Sequence, residues 1–148
     1  MDPRDDAGLA CTCSMVRRVA RRLTQYYDDA LKDTGLKVTQ YSLLSCIARA
    51  GQSSVTDLSD RLELDRTTLT RNLSLLRDVG WVRLAPGPDK RTRSVELTPS
   101  GREMLEAARP HWREAELALR QRAGGDVTAA LQDVLVQTVA AVEAQQQQ

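Results

Sequence analysis

Between Arg66 and Asn72 the chain sets out Arg66, Thr67, Thr68, Thr70, Arg71 and Asn72, leaving only Leu69 apolar. Guanidinium, hydroxyl and amide groups at this density do one kind of chemistry well. They hydrogen-bond to phosphate oxygens and to the exposed edges of bases. The bland alternative for the same residues is a solvated helix face. A second reactive set is Cys11-Thr12-Cys13 with Cys46, which offers thiol chemistry. Metal binding would require these three cysteines to converge with the single histidine, His111, and nothing else in the chain supports that. No Gly-rich phosphate loop, nucleophile–base constellation or isolated carboxylate pair points to an enzyme.

The elements that must carry these groups follow from caps and periodicity. Ser54-Val55-Thr56-Asp57 has capping-box spacing, and Val55, Leu58 and Leu62 then share one helical face. Glu63-Leu64 is a turn. Asp65 is a second N-cap, after which Leu69, Leu73, Leu76 and Val79 make an apolar stripe opposite the polar residues, ending at Gly80. Trp81–Leu84 and Ser94–Leu97 read as paired strands. Pro86-Gly87-Pro88-Asp89 turns between them, and Lys90, Arg91 and Arg93 charge the tip. From Arg61 to Arg93 there are eight basic residues against four acids, a local +4 in a chain of net charge +1. The positive field is therefore concentrated on this segment.

Outside it, Thr39 is read as starting a helix that carries Tyr41, Leu44, Ile47 and Ala48 and ends at Gly51. Leu9, Cys13, Val16, Ala20, Leu23 and Tyr27 recur at steps of three and four, a seam like that of a coiled coil, with Arg17, Arg18, Arg21 and Arg22 off it. Thr98-Pro99 opens a long helix that Pro110 should kink and Gly124-Gly125 should break. Val127, Leu131, Val134, Leu135, Thr138 and Val142 suggest a final amphipathic helix. These terminal stripes call for burial against a second chain. The fold class is mainly α with a small β-hairpin wing: a winged helix-turn-helix flanked by N- and C-terminal helices.

A chain of 148 residues can bury one core. No apolar run approaches a membrane span, and the acid-containing start does not resemble a secretory signal, so the expectation is a cytoplasmic protein without a membrane partner. Three cysteines without paired spacing fit a reducing compartment. Residues 145–148 are expected to be a disordered glutamine tail.

The chain resembles the MarR family of bacterial transcriptional regulators. The resemblance rests on Val38–Leu44, Val55-Thr56-Asp57-Leu58, Asp65–Arg71, Asp89-Lys90-Arg91 and Leu97–Arg102, and it spans roughly Leu9 to Ala144. The wing pattern, Asp-x-Arg followed by Leu-Thr-x-x-Gly-Arg, is its most specific part. The resemblance implies a triangular homodimer with dimerisation helices over 9–34 and 110–144 and a winged helix-turn-helix over 38–100. Two recognition helices would enter successive major grooves of a pseudo-palindromic duplex operator about 34–36 Å apart. DNA contacts would come from Ser54, Arg66, Thr67, Thr68, Thr70, Arg71 and Asn72. Arg91 would probe the minor groove, oriented by Asp89, with Lys90 and Arg93 near phosphate. No cofactor is implied. Repression is the usual outcome in such a family. Its signal stays open between thiol oxidation, centred on Cys11 and Cys13 with Cys46 on the second helix as a third candidate, and a small phenolic or aromatic ligand lined by Tyr26, Tyr27, Tyr41, His111 and Trp112. A winged-helix adaptor that binds protein instead of DNA is the remaining alternative.

Overall fold

The computed structural model describes residues 11–87 and 92–146. The chain divides into two units at Trp112/Arg113, inside one long helix, and each is taken by itself.

The first unit begins with α1 (Thr12–Leu31), a 3₁₀ turn (Lys32–Thr34) and α2 (Val38–Ala50). The Val38 N–H donates to Asp28 Oδ1 (2.7 Å), and Lys37 Nζ lies 3.4 Å from the same carboxylate. One acid on α1 thus both satisfies an orphan donor at the start of α2 and neutralises its neighbour. α2 starts one residue before Thr39, because the Gln40 side chain reaches back to accept the Lys37 N–H (2.9 Å). β1 (Ser53–Ser54), α3 (Val55–Leu62), α4 (Arg66–Asp78), β2 (Val82–Pro86) and β3 (Arg93–Leu97) follow, and α5 (Pro99–Ala123) starts in this unit.

The sheet is three-stranded and antiparallel, in the order β1-β3-β2. Val82 pairs with Leu97, Arg83 with Glu96 and Leu84 with Val95, while Ser53 and Ser54 of β1 pair with Val95 and Ser94. The expected two-stranded hairpin therefore gains a third strand. β1 is two residues long and carries no alternation of its own, so only its partner reveals it. Leu44, Ile47, Leu58, Leu69, Leu76 and Val95 are at most 1% exposed and form the centre of the core, where α2, α3 and α4 meet the sheet. Leucine supplies most of this packing in a chain with no phenylalanine.

α5 runs unbroken through Pro110, which leaves the Glu106 carbonyl without its usual helical donor. Gly124 then separates α5 from α6 (Gly125–Gln146), so the glutamine run starts as helix instead of as disordered tail. Glutamine is a good helix former, and propensity alone permits the extension.

Two expectations about α6 need correction. It is not amphipathic with a single stripe: Val136 (69% exposed) and Val139 (41%) lie off the line of Val127, Leu131, Val134 and Leu135. It is also long and apolar enough to cross a membrane over Gly125–Gln145, at mean hydropathy 1.2. Gln132, Asp133 and Gln137 interrupt it, which is why no contiguous apolar run stands out in the sequence. A mid-helix aspartate costs about 2.5–3.5 kcal/mol in lipid, so length and composition are weak evidence for a span.

Candidate nucleic-acid interface

The interface is built on two capped helices. At α3 the Asp57 N–H donates to Ser54 Oγ and the Ser54 N–H donates to Asp57 Oδ2, both at 3.0 Å, closing the capping box. That backbone N–H, with the Ser54 hydroxyl, holds the Asp57 carboxyl below the usual carboxylate range. The turn into α4 bends through Glu63, a left-handed residue at φ 50°, and the Leu64 N–H closes it on the Ser59 carbonyl (3.1 Å). At α4 the Thr68 N–H donates to Asp65 Oδ1 (2.9 Å) and the Thr68 hydroxyl to Oδ2 (2.5 Å). The hydroxyl, then the N–H, depresses the Asp65 pKa.

α4 turns Leu69, Leu73 and Leu76 into the core. Arg66, Thr67, Thr68, Thr70 and Arg71 are all exposed. Among the described residues neither Arg66 nor Arg71 has an ion-pair partner, so both guanidiniums keep their full donor sets. Thr68 differs: its proton is committed to Asp65, leaving its oxygen as an acceptor. Asn72 is half-buried and turned toward α2, beside Thr39, Gln40 and Leu43, instead of on the outer face.

On the wing, Arg83 Nη2 bonds Glu96 Oε2 at 3.0 Å, which neutralises that cation within the sheet. Arg93, at the start of β3, is exposed. The wing-tip residues Asp89, Lys90 and Arg91 lie outside the described residues, as does Leu9 of the α1 seam.

Residues 34–92 match the MarR family. The chain is 36% identical over 93 residues to the multiple antibiotic resistance protein MarR of Salmonella typhimurium, covering 62% of each chain, which is a little under two thirds of that relative. Its fold superposes on a crystal structure of the Mycobacterium tuberculosis transcriptional regulator MosR in complex with DNA at TM-score 0.80. The identity there is 39%, over 90% of this chain and 98% of the other. The chain belongs to the MarR family. An E. coli MarR mutant complexed with operator DNA gives TM-score 0.77 at 25% identity, covering 84% of this chain and 91% of that one. MarR-family regulators are DNA-binding proteins and not enzymes.

The cysteines separate into two environments. Cys46 is buried in the core of the winged helix. Cys11 and Cys13 are both exposed at the start of α1. Cys11 is the N-cap residue, with extended backbone (φ −76°, ψ 120°), so it stands outside the helix that Cys13 has already entered. Its sulfur closes no cap bond of good geometry, yet it faces the backbone N–H groups of Ser14 and then Cys13, which pull its thiol pKa below the ordinary value.

The candidate aromatic residues form two ring pairs. Tyr41 is buried and stacks on half-buried Trp112, with ring centroids 5.6 Å apart. Tyr26 and Tyr27 meet edge to face at 5.3 Å, and His111 is exposed. An apolar cleft does exist elsewhere, between α4 and the sheet, lined by Val55, Thr70, Leu73, Arg77, Val82 and Leu84. At about 80 Å³ it is well below the ~300–1,000 Å³ of an ordinary small-molecule pocket.

Sequence reasoning missed two residues that place α4: Thr98 and Gly101. The Thr98 hydroxyl donates to the Gly80 carbonyl (2.6 Å) and accepts the Gly101 N–H (3.0 Å). The Leu-Thr-x-x-Gly signal was visible, but it reads locally as a helix start, and the partner at Gly80 is eighteen residues away.

Proposed function

We propose that this chain is a homodimeric transcriptional regulator, acting as a repressor, that reads a pseudo-palindromic duplex operator and leaves it when Cys11 and Cys13 are oxidised. The observation that carries the DNA-binding reading is the outer face of α4, where Arg66 and Arg71, without an ion-pair partner among the described residues, flank exposed Thr67 and Thr70 on a doubly capped helix-turn-helix. The likeness to regulators solved with DNA supports it. Arg91, with Asp89, Lys90 and Arg93, completes the wing contact in this reading, and Ser54 at the start of α3 meets phosphate.

The homodimer rests on α6. Apolar side chains at this density belong in an interior, yet Val127, Leu131, Val134, Leu135, Val136, Val139 and Val142 of α6 are all exposed in the single chain. A second copy of the same chain is the cover that the terminal helices 9–34 and 110–144 imply.

For the signal, Cys11 combines exposure with a favoured thiolate. The Cys11 thiolate attacks a peroxide oxygen, the O–O bond breaks, and the Cys11 sulfenic acid forms as hydroxide or water leaves. The Cys13 sulfur then attacks that sulfur, an S–S bond forms, the S–O bond breaks, and the departing hydroxide takes the Cys13 thiol proton and leaves as water. Because Cys11 already lies outside the helix, only the first turn of α1 has to open for the two Cβ atoms to reach about 4 Å. Buried Cys46 packs the core and takes no part. No geometric observation favours the aromatic-ligand alternative.

The test is fluorescence anisotropy on DNA from upstream of the chain's own gene, reduced and then treated with peroxide. Affinity should fall on oxidation and return with reductant, and Cys11→Ser or Cys13→Ser should abolish the response while Cys46→Ser does not. Equal binding in both states would end the redox reading. Binding that does not weaken steeply with salt would favour the protein-binding adaptor over DNA.

A further inference from the structure

We propose that Thr98 is a positioning residue for operator reading: through one hydroxyl it fixes the exit of the recognition helix α4 against the start of α5, and so sets how α4 meets base edges. This rests on the DNA-binding reading above. The chain leaves α4 through a left-handed Gly80 (φ 82°), with the Gly80 N–H on the Arg77 carbonyl and the Trp81 N–H on the Leu76 carbonyl, both at 2.9 Å. That is a Schellman ending, and it leaves the Gly80 carbonyl free to accept. The Thr98 Oγ–H donates to it at 2.6 Å. The same oxygen accepts the Gly101 N–H at 3.0 Å as the N-cap of α5, and the Thr98 N–H donates to the Trp81 carbonyl at 3.0 Å.

Gly101 completes the joint by close approach. A Cβ there would fall well inside contact distance of the Trp81 carbonyl, so α5 lies directly on the backbone that leaves α4. The wing hairpin is thereby closed at its base, and the last turn of α4 and the first turn of α5 share one side chain. Base readout depends on aligned donors, whereas phosphate attraction tolerates small tilts. Loosening this joint should therefore cost sequence discrimination before it costs general affinity.

The probe is a duplex enriched from a random pool by the wild-type chain, compared with a scrambled duplex of the same length and composition. Thr98→Val removes the hydroxyl at constant shape. Operator affinity should fall about tenfold, the loss of one well-made base contact, while scrambled-duplex affinity stays within about twofold. Thr98→Ser should restore the wild-type ratio. Thr98→Asp separates positioning from capping: its carboxylate still accepts the Gly101 N–H but has no proton for the Gly80 carbonyl. It should lose discrimination as the valine variant does, and it replaces that variant if valine does not fold. Its added charge weakens both duplexes alike and drops out of the ratio. Variants that keep the wild-type operator-to-scrambled ratio, or a serine variant that fails to restore it, overturn the proposal. A wild-type chain that enriches no duplex overturns the DNA-binding reading itself.

Discussion

At the residue scale, the outer face of α4 divides into groups with different duties. Among the described residues Arg66 and Arg71 have no ion-pair partner, Thr68 is spent largely on its cap, and Asn72 faces α2. Arg71→Ala is expected to weaken operator binding by about 1–3 kcal/mol and to relax preference at one base position. Asn72→Ala should change binding far less. Competition anisotropy over single-base operator variants distinguishes the two. Asp57 and Asp65 also make stability depend on pH. Both carboxyls are depressed in the folded chain, so as pH falls the unfolded chain takes up these protons first. Their contribution is complete above the ordinary carboxylate value of about 3.9 and is lost as pH drops through the depressed folded values. The urea midpoint should therefore fall between pH 7 and pH 3, and Asp57→Asn with Asp65→Asn should flatten that fall, because asparagine keeps a capping oxygen but does not titrate there.

At the element scale, α4 is held from inside by its leucines and from behind by the joint at Thr98. Leu69 is completely buried, and Leu69→Ala should cost about 2–5 kcal/mol in chemical denaturation, a cavity that the surrounding helices cannot fully collapse. Gly101→Ala tests the close approach of α5 to Trp81. The added methyl must push backbone apart, and a loss of about 1–3 kcal/mol is expected. A neutral Gly101→Ala in the same assay would show that α5 can slide off Trp81 without penalty.

At the scale of the whole molecule, the exposed valines and leucines of α6 are the surface on which the proposed second copy is tested. Leu131→Glu combined with Val134→Glu should convert a dimer to monomers in sedimentation velocity, since burying two carboxylates in an apolar contact is strongly unfavourable. The monomer should then lose the affinity that comes from engaging two half-sites together. Sedimentation as a monomer by the unaltered chain would remove the case for paired half-sites.

Most of the winged helix could be read from sequence because its signals are local. A capping box spans four residues, Asp65 caps Thr68 three positions on, and the leucine stripe of α4 repeats within each turn, so Ser54, Asp57, Asp65 and Gly80 announce their roles wherever the chain goes. Tertiary structure alone decided features whose partners are distant along the chain. β1 exists because Ser53 and Ser54 find Val95 and Ser94; the Tyr41–Trp112 stack joins α2 to α5; Thr98 acts at Gly80 across the entire wing. None of these leaves a periodicity, since a hydrogen bond or ring contact closed over tens of residues constrains only its two ends. The thiols divide the same way. Cys11-Thr12-Cys13 is visible as a motif, but which cysteine lies outside the helix, and which is sealed in the core, follows only from where α1 starts and what α2 packs against.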